Sequence, residues 1–200
     1  MNQGIARFLA IVFHPVFVNL LNLCLLFTLF PTLSHGIPAK AQLFYISFIF
    51  VATSIIPLLT VLVLRLIGKV NSILLNQKQE RNIPYLTTML LYFFVYFNFN
   101  KYPTHPLILS YIFACMAIVG SVMLINFYTK ISIHLATLGA LAGLLVVSGK
   151  LAEFDTRILL IITMLISGLV ASARVFSNAH EERQVYSGFF LGFFWMLLIL

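Results

Sequence analysis

The chain has 200 residues, 62% of them hydrophobic and 8% charged. A water-soluble domain of this length needs far more charge to cover its surface, so the composition excludes one. The net charge of +7 comes from twelve basic and five acidic residues, with the basic ones standing singly in loops and at helix ends. No basic stripe or nucleic-acid motif is present, so the expected partners are membrane lipids and a phosphorylated lipid, and no nucleic acid.

Long apolar runs without strand alternation predict an all-α, polytopic transmembrane bundle, a single domain over residues 1–200. The first span is expected over about 13–30, with Pro15 near its start and Pro31 at its end. Arg7 precedes it, but no small-x-small cleavage site follows, so it reads as a span and not a removable signal. The second span, about 42–67, is expected to kink at Pro57. After the polar stretch "GKVNSILLNQKQERNIPY" come spans at about 84–99, 107–127, 135–148, 158–176 and 185–200. The fifth and seventh are short and are expected to extend into the preceding loops, giving six or seven spans in all. Cys24 and Cys115 fall inside apolar spans and read as core residues. Gly139/Gly143 and Gly188/Gly192 let helix backbones approach closely, either within the chain or across a homodimer interface.

Seven crossings sort the loops onto two faces. One face receives the N-terminus, the loop at 68–83, the "YTKISIH" turn and the "SNAHEERQ" turn. Arg81, Lys130, Ser132, His134, Arg174 and His180 therefore share a face although they are far apart in sequence. That face carries eight Lys and Arg against four on the other. If about half of those eight serve a site, the rest divide evenly and do not set the orientation. His14 lies on the same face before Pro15 and reads as a cap or interface residue; His35 and His105 fall on the opposite face. Asn126 is an amide deep in the fourth span, and Tyr128 and Trp195 read as interface anchors.

Arginine forks suit phosphate oxygens, and two arginines with a lysine would hold a phosphate during transfer. Two histidines can divide nucleophilic attack and protonation of the leaving oxygen. Ser132, just before a helix, is positioned to cap it. Such chemistry needs neither metal nor cofactor, and Glu80, Glu153, Asp155, Glu181 and Glu182 are not spaced as a ligand set. Arg174 and His180, six apart, do not share one face of a straight helix, so a break is expected near Ser177-Asn178.

Over residues 78–192 the chain resembles the type 2 phosphatidic acid phosphatase superfamily of integral membrane lipid phosphatases. The family signature is Lys-x6-Arg-Pro, Pro-Ser-Gly-His, and Ser-Arg-x5-His-x3-Asp. The third part looks like "SARVFSNAHEERQ", the second like "ISIH" and the first like "KQERNIP". The resemblance implies that His180 is the nucleophile forming a phosphohistidine and His134 the general acid. It implies that Arg81, Arg174 and Ser132 hold phosphate, with Lys78 or Lys130 substituting for the missing lysine. It also points to a bacterial inner (cytoplasmic) membrane. Leu74 stands where the family has lysine, Asn82 follows Arg81, isoleucines flank Ser132, and Ala173 precedes Arg174. Gln184 replaces the aspartate that orients the nucleophile; its carbonyl can fix the tautomer but cannot stabilise an imidazolium as a carboxylate does. Two functions follow as expectations. One is a metal-independent lipid phosphatase; the other is a weakened relative that binds or moves a phosphorylated lipid. A transporter unrelated to phosphate ranks last, because the ionisable residues gather at helix ends and not at the midplane.

Overall fold

The computed structural model describes residues 1–71, 75, 77–151 and 154–200; Leu74 and Glu153 lie outside the described residues. Every regular element among the described residues is helical. The order is α1 (Gln3–Val12), α2 (Pro15–Leu29), the single turn α3 (Pro31–Ser34), α4 (Ala39–Phe50), a π turn (Val51–Ile55) and α5 (Ile56–Leu66). A 3-10 turn (Gln79–Arg81) then leads into α6 (Asn82–Phe99), α7 (Pro106–Tyr128), α8 (Ile133–Leu151), α9 (Arg157–Phe176) and α10 (Glu182–Ile199).

Among the described residues, four helices are long and apolar enough to cross a membrane: Ala39–Leu66, α7, α8 and α9. Counting the bent pair α1 and α2 as one span makes five. The expected six or seven is not reached, because α6 and α10 are 18 residues each and dilute their apolar runs with Tyr, Asn, Glu, Arg and Gln.

Local chemistry explains the boundaries. His14 and His105 each precede a proline and cap the following helix, Nδ1 accepting the N–H of Val16 at 3.4 Å and of Leu107 at 3.2 Å. The α1–α2 bend of 42° falls at this Phe13-His14-Pro15 junction. Pro57 lies inside the continuous helix Ala39–Leu66 directly after the π turn. A proline ring crowds the carbonyl four residues earlier, here Thr53, and the wider π turn makes room for it. As expected, the fifth and seventh apolar segments reach back, α8 starting at Ile133 and α10 at Glu182.

α8 is the most enclosed of the long apolar helices and packs on α2, α9 and above all α10. The four glycines form that last seam. A Cβ at Gly192 would strike the Ala136 carbonyl, one at Gly139 the Phe189 carbonyl, one at Gly188 the Ser132 carbonyl and one at Gly143 the Met196 side chain. The seam is thus within the chain, and these glycines are not free to make a homodimer interface. Trp195 ties two helices together: its Nε1–H donates to Ser121 Oγ at 3.0 Å between α10 and α7. Tyr128 is exposed at 88%.

Candidate functional site

A cavity of about 1200 Å³ enters the bundle between α1, α5, α6, α8 and α9. Its wall carries Arg7, Arg65, Arg81, Lys130 and Arg174 together with His14, His134 and His180. No carboxylate lines it among the described residues. The one ion pair found among them, Arg157 with Asp155, lies elsewhere on the exposed surface. Five cations around one space repel one another until an anion enters. Burial also strips Arg81 and Arg174 of water, and Arg174 Nε is buried with no hydrogen-bond partner among the described residues.

Arg81 is positioned by the loop before it. The Glu80 carboxylate accepts the N–H of Asn71 at 2.9 Å and of Gln77 at 3.3 Å. Those backbone donors, above all Asn71, and the neighbouring Arg81 hold the Glu80 carboxyl below its ordinary range. The Asn126 amide donates to the Lys78 carbonyl at 2.8 Å and to Asn82 Oδ1 at 2.9 Å, which ties the turn to α7. Asn126 is therefore a structural tie and not a wall residue. Leu75 adopts the left-handed conformation, φ 50°, and its carbonyl accepts Arg81 Nε–H at 2.8 Å. Arg81 is 6% exposed.

Lys78 is placed elsewhere. Its Nζ donates to the carbonyls of Phe127 at 3.2 Å and Tyr128 at 3.3 Å, closing the C-terminus of α7, where a cation complements the helix dipole. Lys130, the alternative, is on the wall.

His134 opens α8 with its ring against His14, centroids 5.5 Å apart and edge to face. Its Nε2 lies 3.2 Å from the Ala10 carbonyl. A carbonyl only accepts, so Nε2 carries the proton and Nδ1 is the other, free position. Ser132 is buried behind the wall. Its N–H donates to the Gln184 carbonyl at 3.1 Å, while its hydroxyl has no partner among the described residues and caps nothing there. The expected capping role of Ser132 is thus not realised, because α10 packs over it through Gly188.

Arg174 and His180 converge through a helix break. α9 stops at Phe176, Asn178 turns left-handed at φ 52°, and the N–H groups of Ala179 and His180 return to the Arg174 carbonyl. α10 then starts with a capping box formed by Glu181 and Gln184. Gln184 Oε1 accepts the Glu181 N–H at 3.4 Å and stands 3.1 Å from His180 Nδ1. Because that oxygen is an acceptor, His180 carries its proton on Nδ1 and leaves Nε2 with its lone pair. Burial first, then Arg81 and Arg174, pushes the His180 imidazole down to about 4, against a smaller upward pull from Gln184.

Of the predicted residues, Arg81, Lys130, His134, Arg174 and His180 share the cavity, and Gln184 stands behind His180. Lys78 and Ser132 are not on the wall. The sequence reading missed Arg7 and Arg65 at the mouth, and a neutral polar group deeper in: Asn19, Asn22, Thr53, Ser54 and Tyr92. Two amides three residues apart inside the first apolar run, and a Thr-Ser pair before Pro57, were the available signals. Comparison of the chain with family models, curated proteins and solved structures gives no match.

Proposed function

We propose that the protein is an integral membrane lipid phosphatase acting through a phosphohistidine. The observation that carries this reading is the meeting of His180, His134, Arg81, Arg174 and Lys130, from three distant segments, on a cavity with five cations and no described carboxylate. The type 2 phosphatidic acid phosphatase pattern supports it. We infer further that α6 and α10 also cross the bilayer, giving seven crossings, in a bacterial cytoplasmic membrane.

In this mechanism His180 Nε2 attacks phosphorus as the phosphorus–ester oxygen bond breaks. His134 enters this step as the imidazolium, with a second proton on Nδ1 beside the Nε2–H that faces the Ala10 carbonyl. The released electron pair goes to the leaving oxygen, which takes the Nδ1 proton and leaves His134 neutral. Arg81, Arg174 and Lys130 hold the phosphoryl oxygens while their charge redistributes. His134 then removes a proton from water, the hydroxide displaces His180 from phosphorus, and inorganic phosphate leaves. Gln184 keeps the His180 proton on Nδ1 throughout. Both reacting groups are imidazoles, so the steps need no metal.

The second reading, a weakened relative that binds or moves a phosphorylated lipid, is favoured by one feature: an uncharged Gln184 where a carboxylate would stabilise the imidazolium. Phosphate release from a panel of phosphorylated lipids, measured with chelator present, separates the two. Release by the wild type that disappears in His180→Ala supports the enzyme. Binding without release supports the relative.

A further inference from the structure

His14 and His105 perform the same local task. Each precedes a proline, and each accepts through Nδ1 a backbone N–H of the helix it starts. A backbone N–H only donates, so in both rings Nδ1 holds the lone pair and Nε2 the proton. The two differ in what lies beyond the cap. The His105 ring is not on the cavity wall, and capping accounts for it. The His14 ring is on the wall, edge to face with His134 at 5.5 Å between centroids. Its Nε2–H has no partner among the described residues and is not sealed within the packing as Asn22 Oδ1 is. A proton donor therefore opens into the cavity beside the proposed general acid.

The break between α1 and α2 serves the same place in a second way. In a continuous helix the His14 N–H would bond the Ala10 carbonyl, four residues back. Here it turns to the Ile11 carbonyl at 3.2 Å, and the Ala10 carbonyl lies 3.2 Å from His134 Nε2. One junction thus orients His134 and sets a further ring on the wall next to it. The Arg174 guanidinium is close enough to act on both rings, and its Nε is buried without a partner among the described residues. We propose that His14 is a further phosphate-binding residue, its Nε2–H donating to a phosphoryl oxygen while the capping bond keeps the proton on Nε2. The ligand chemistry is a phosphoryl dianion, free or carried on a lipid. A neutral, directed donor suits a space that five cations already surround, because it adds a hydrogen bond and no repulsion. This inference rests on the phosphatase reading for its placement of the phosphate, not for turnover.

Asparagine and glutamine divide the two roles of His14. Asparagine Oδ1 takes the place of Nδ1 and is among the best helix caps, but nothing then reaches the Nε2 position. The glutamine amide nitrogen takes the place of Nε2 and donates. The test is binding of inorganic phosphate, and separately of hexadecylphosphonate, to the full chain in phosphatidylcholine nanodiscs. His14→Asn should weaken binding about tenfold or more. His14→Gln should stay within about threefold of wild type, and His105→Asn should match it. A loss for both ligands shows that His14 reads the phosphoryl group whatever carries it; a loss for the phosphonate alone shows that it reads a lipid headgroup. Equal affinity in wild type and His14→Asn overturns the inference. So does an equal loss in His14→Asn and His14→Gln, which assigns the effect to the packing of the junction, and so does a wild type that binds neither ligand. Phosphate release from lipids, measured alongside, keeps the two readings apart. Release with no effect of His14→Asn on binding sinks this inference alone, and an effect on binding without release sinks the phosphatase alone. A second measurement needs no variant to fold. In wild type, saturating phosphate should slow carbethoxylation of His14 severalfold, mapped by peptide, and leave His105 unchanged; an unchanged rate at His14 overturns the inference.

Discussion

His180 Nδ1 and Gln184 Oε1 stand 3.1 Å apart, and the same Gln184 oxygen accepts the backbone N–H of Glu181. One side chain thus starts α10 and fixes the tautomer of the proposed nucleophile. This coupling sets the first prediction. Gln184→Glu keeps the length needed to reach both partners and adds a carboxylate to stabilise the imidazolium of the phosphorylated intermediate. Hydrogen bonds to charged groups contribute about 1.5–3 kcal/mol against about 1 for neutral ones, so a gain of several- to tenfold in kcat is expected. Gln184→Ala should lower kcat. Equal kcat for wild type, Gln184→Glu and Gln184→Ala would remove the residue from the mechanism.

The second prediction concerns pH. Burial and nearby arginines disfavour the charged form of His180, so the imidazole stays neutral until pH falls to about 4. After correction for ionisation of the lipid phosphate, the acid limb of kcat/KM should lie near pH 4, well below the ordinary histidine range. Gln184→Glu should move that limb to higher pH, because a carboxylate favours the imidazolium. An acid limb that stays fixed in Gln184→Glu would show that another group titrates.

The third separates two cations that the sequence presents alike. Lys78→Met removes a clamp on the last carbonyls of α7 and should lower thermal stability modestly, with kcat/KM nearly unchanged. Arg81→Lys keeps the charge but loses the planar fork and the Nε–H bond to the Leu75 carbonyl, and should lower kcat/KM about tenfold or more. A larger kinetic loss for Lys78→Met than for Arg81→Lys would reverse this assignment.

The fourth concerns the scaffold. A methyl group at Gly192 meets the Ala136 carbonyl, which cannot move without shifting α8. Gly192→Ala should cost about 1–3 kcal/mol and lower the melting temperature measured in detergent. Gly168→Ala in α9, where a Cβ meets nothing within 4 Å, is the control and should leave it unchanged or raised. Equal melting temperatures for both variants would mean that the seam is not tightly packed.

Apolar length and proline placement made the helices readable in the sequence. Counting crossings was enough to predict that Arg81, Lys130, His134, Arg174 and His180 would gather at one end, because each lies at a helix terminus. The break at Asn178 was legible too, since six residues cannot converge on one helical face. What the sequence hid depended on packing. Lys78 and Lys130 look alike until the chain brings one to the α7 carbonyls. Ser132 loses its capping role because Gly188 lets α10 press over it. Asn22 looks like an isolated amide until α2 and α8 meet and leave its oxygen unpaired.

The central claim is that His180 becomes phosphorylated. The most direct measurement is to mix purified protein with a lipid carrying radiolabelled phosphate, quench within the first turnover, and map the label. The account predicts an acid-labile, alkali-stable phosphoryl group on the peptide containing His180, present in wild type and absent in His180→Ala. Phosphate released in a burst of turnovers with no label on His180 at any quench time would contradict it.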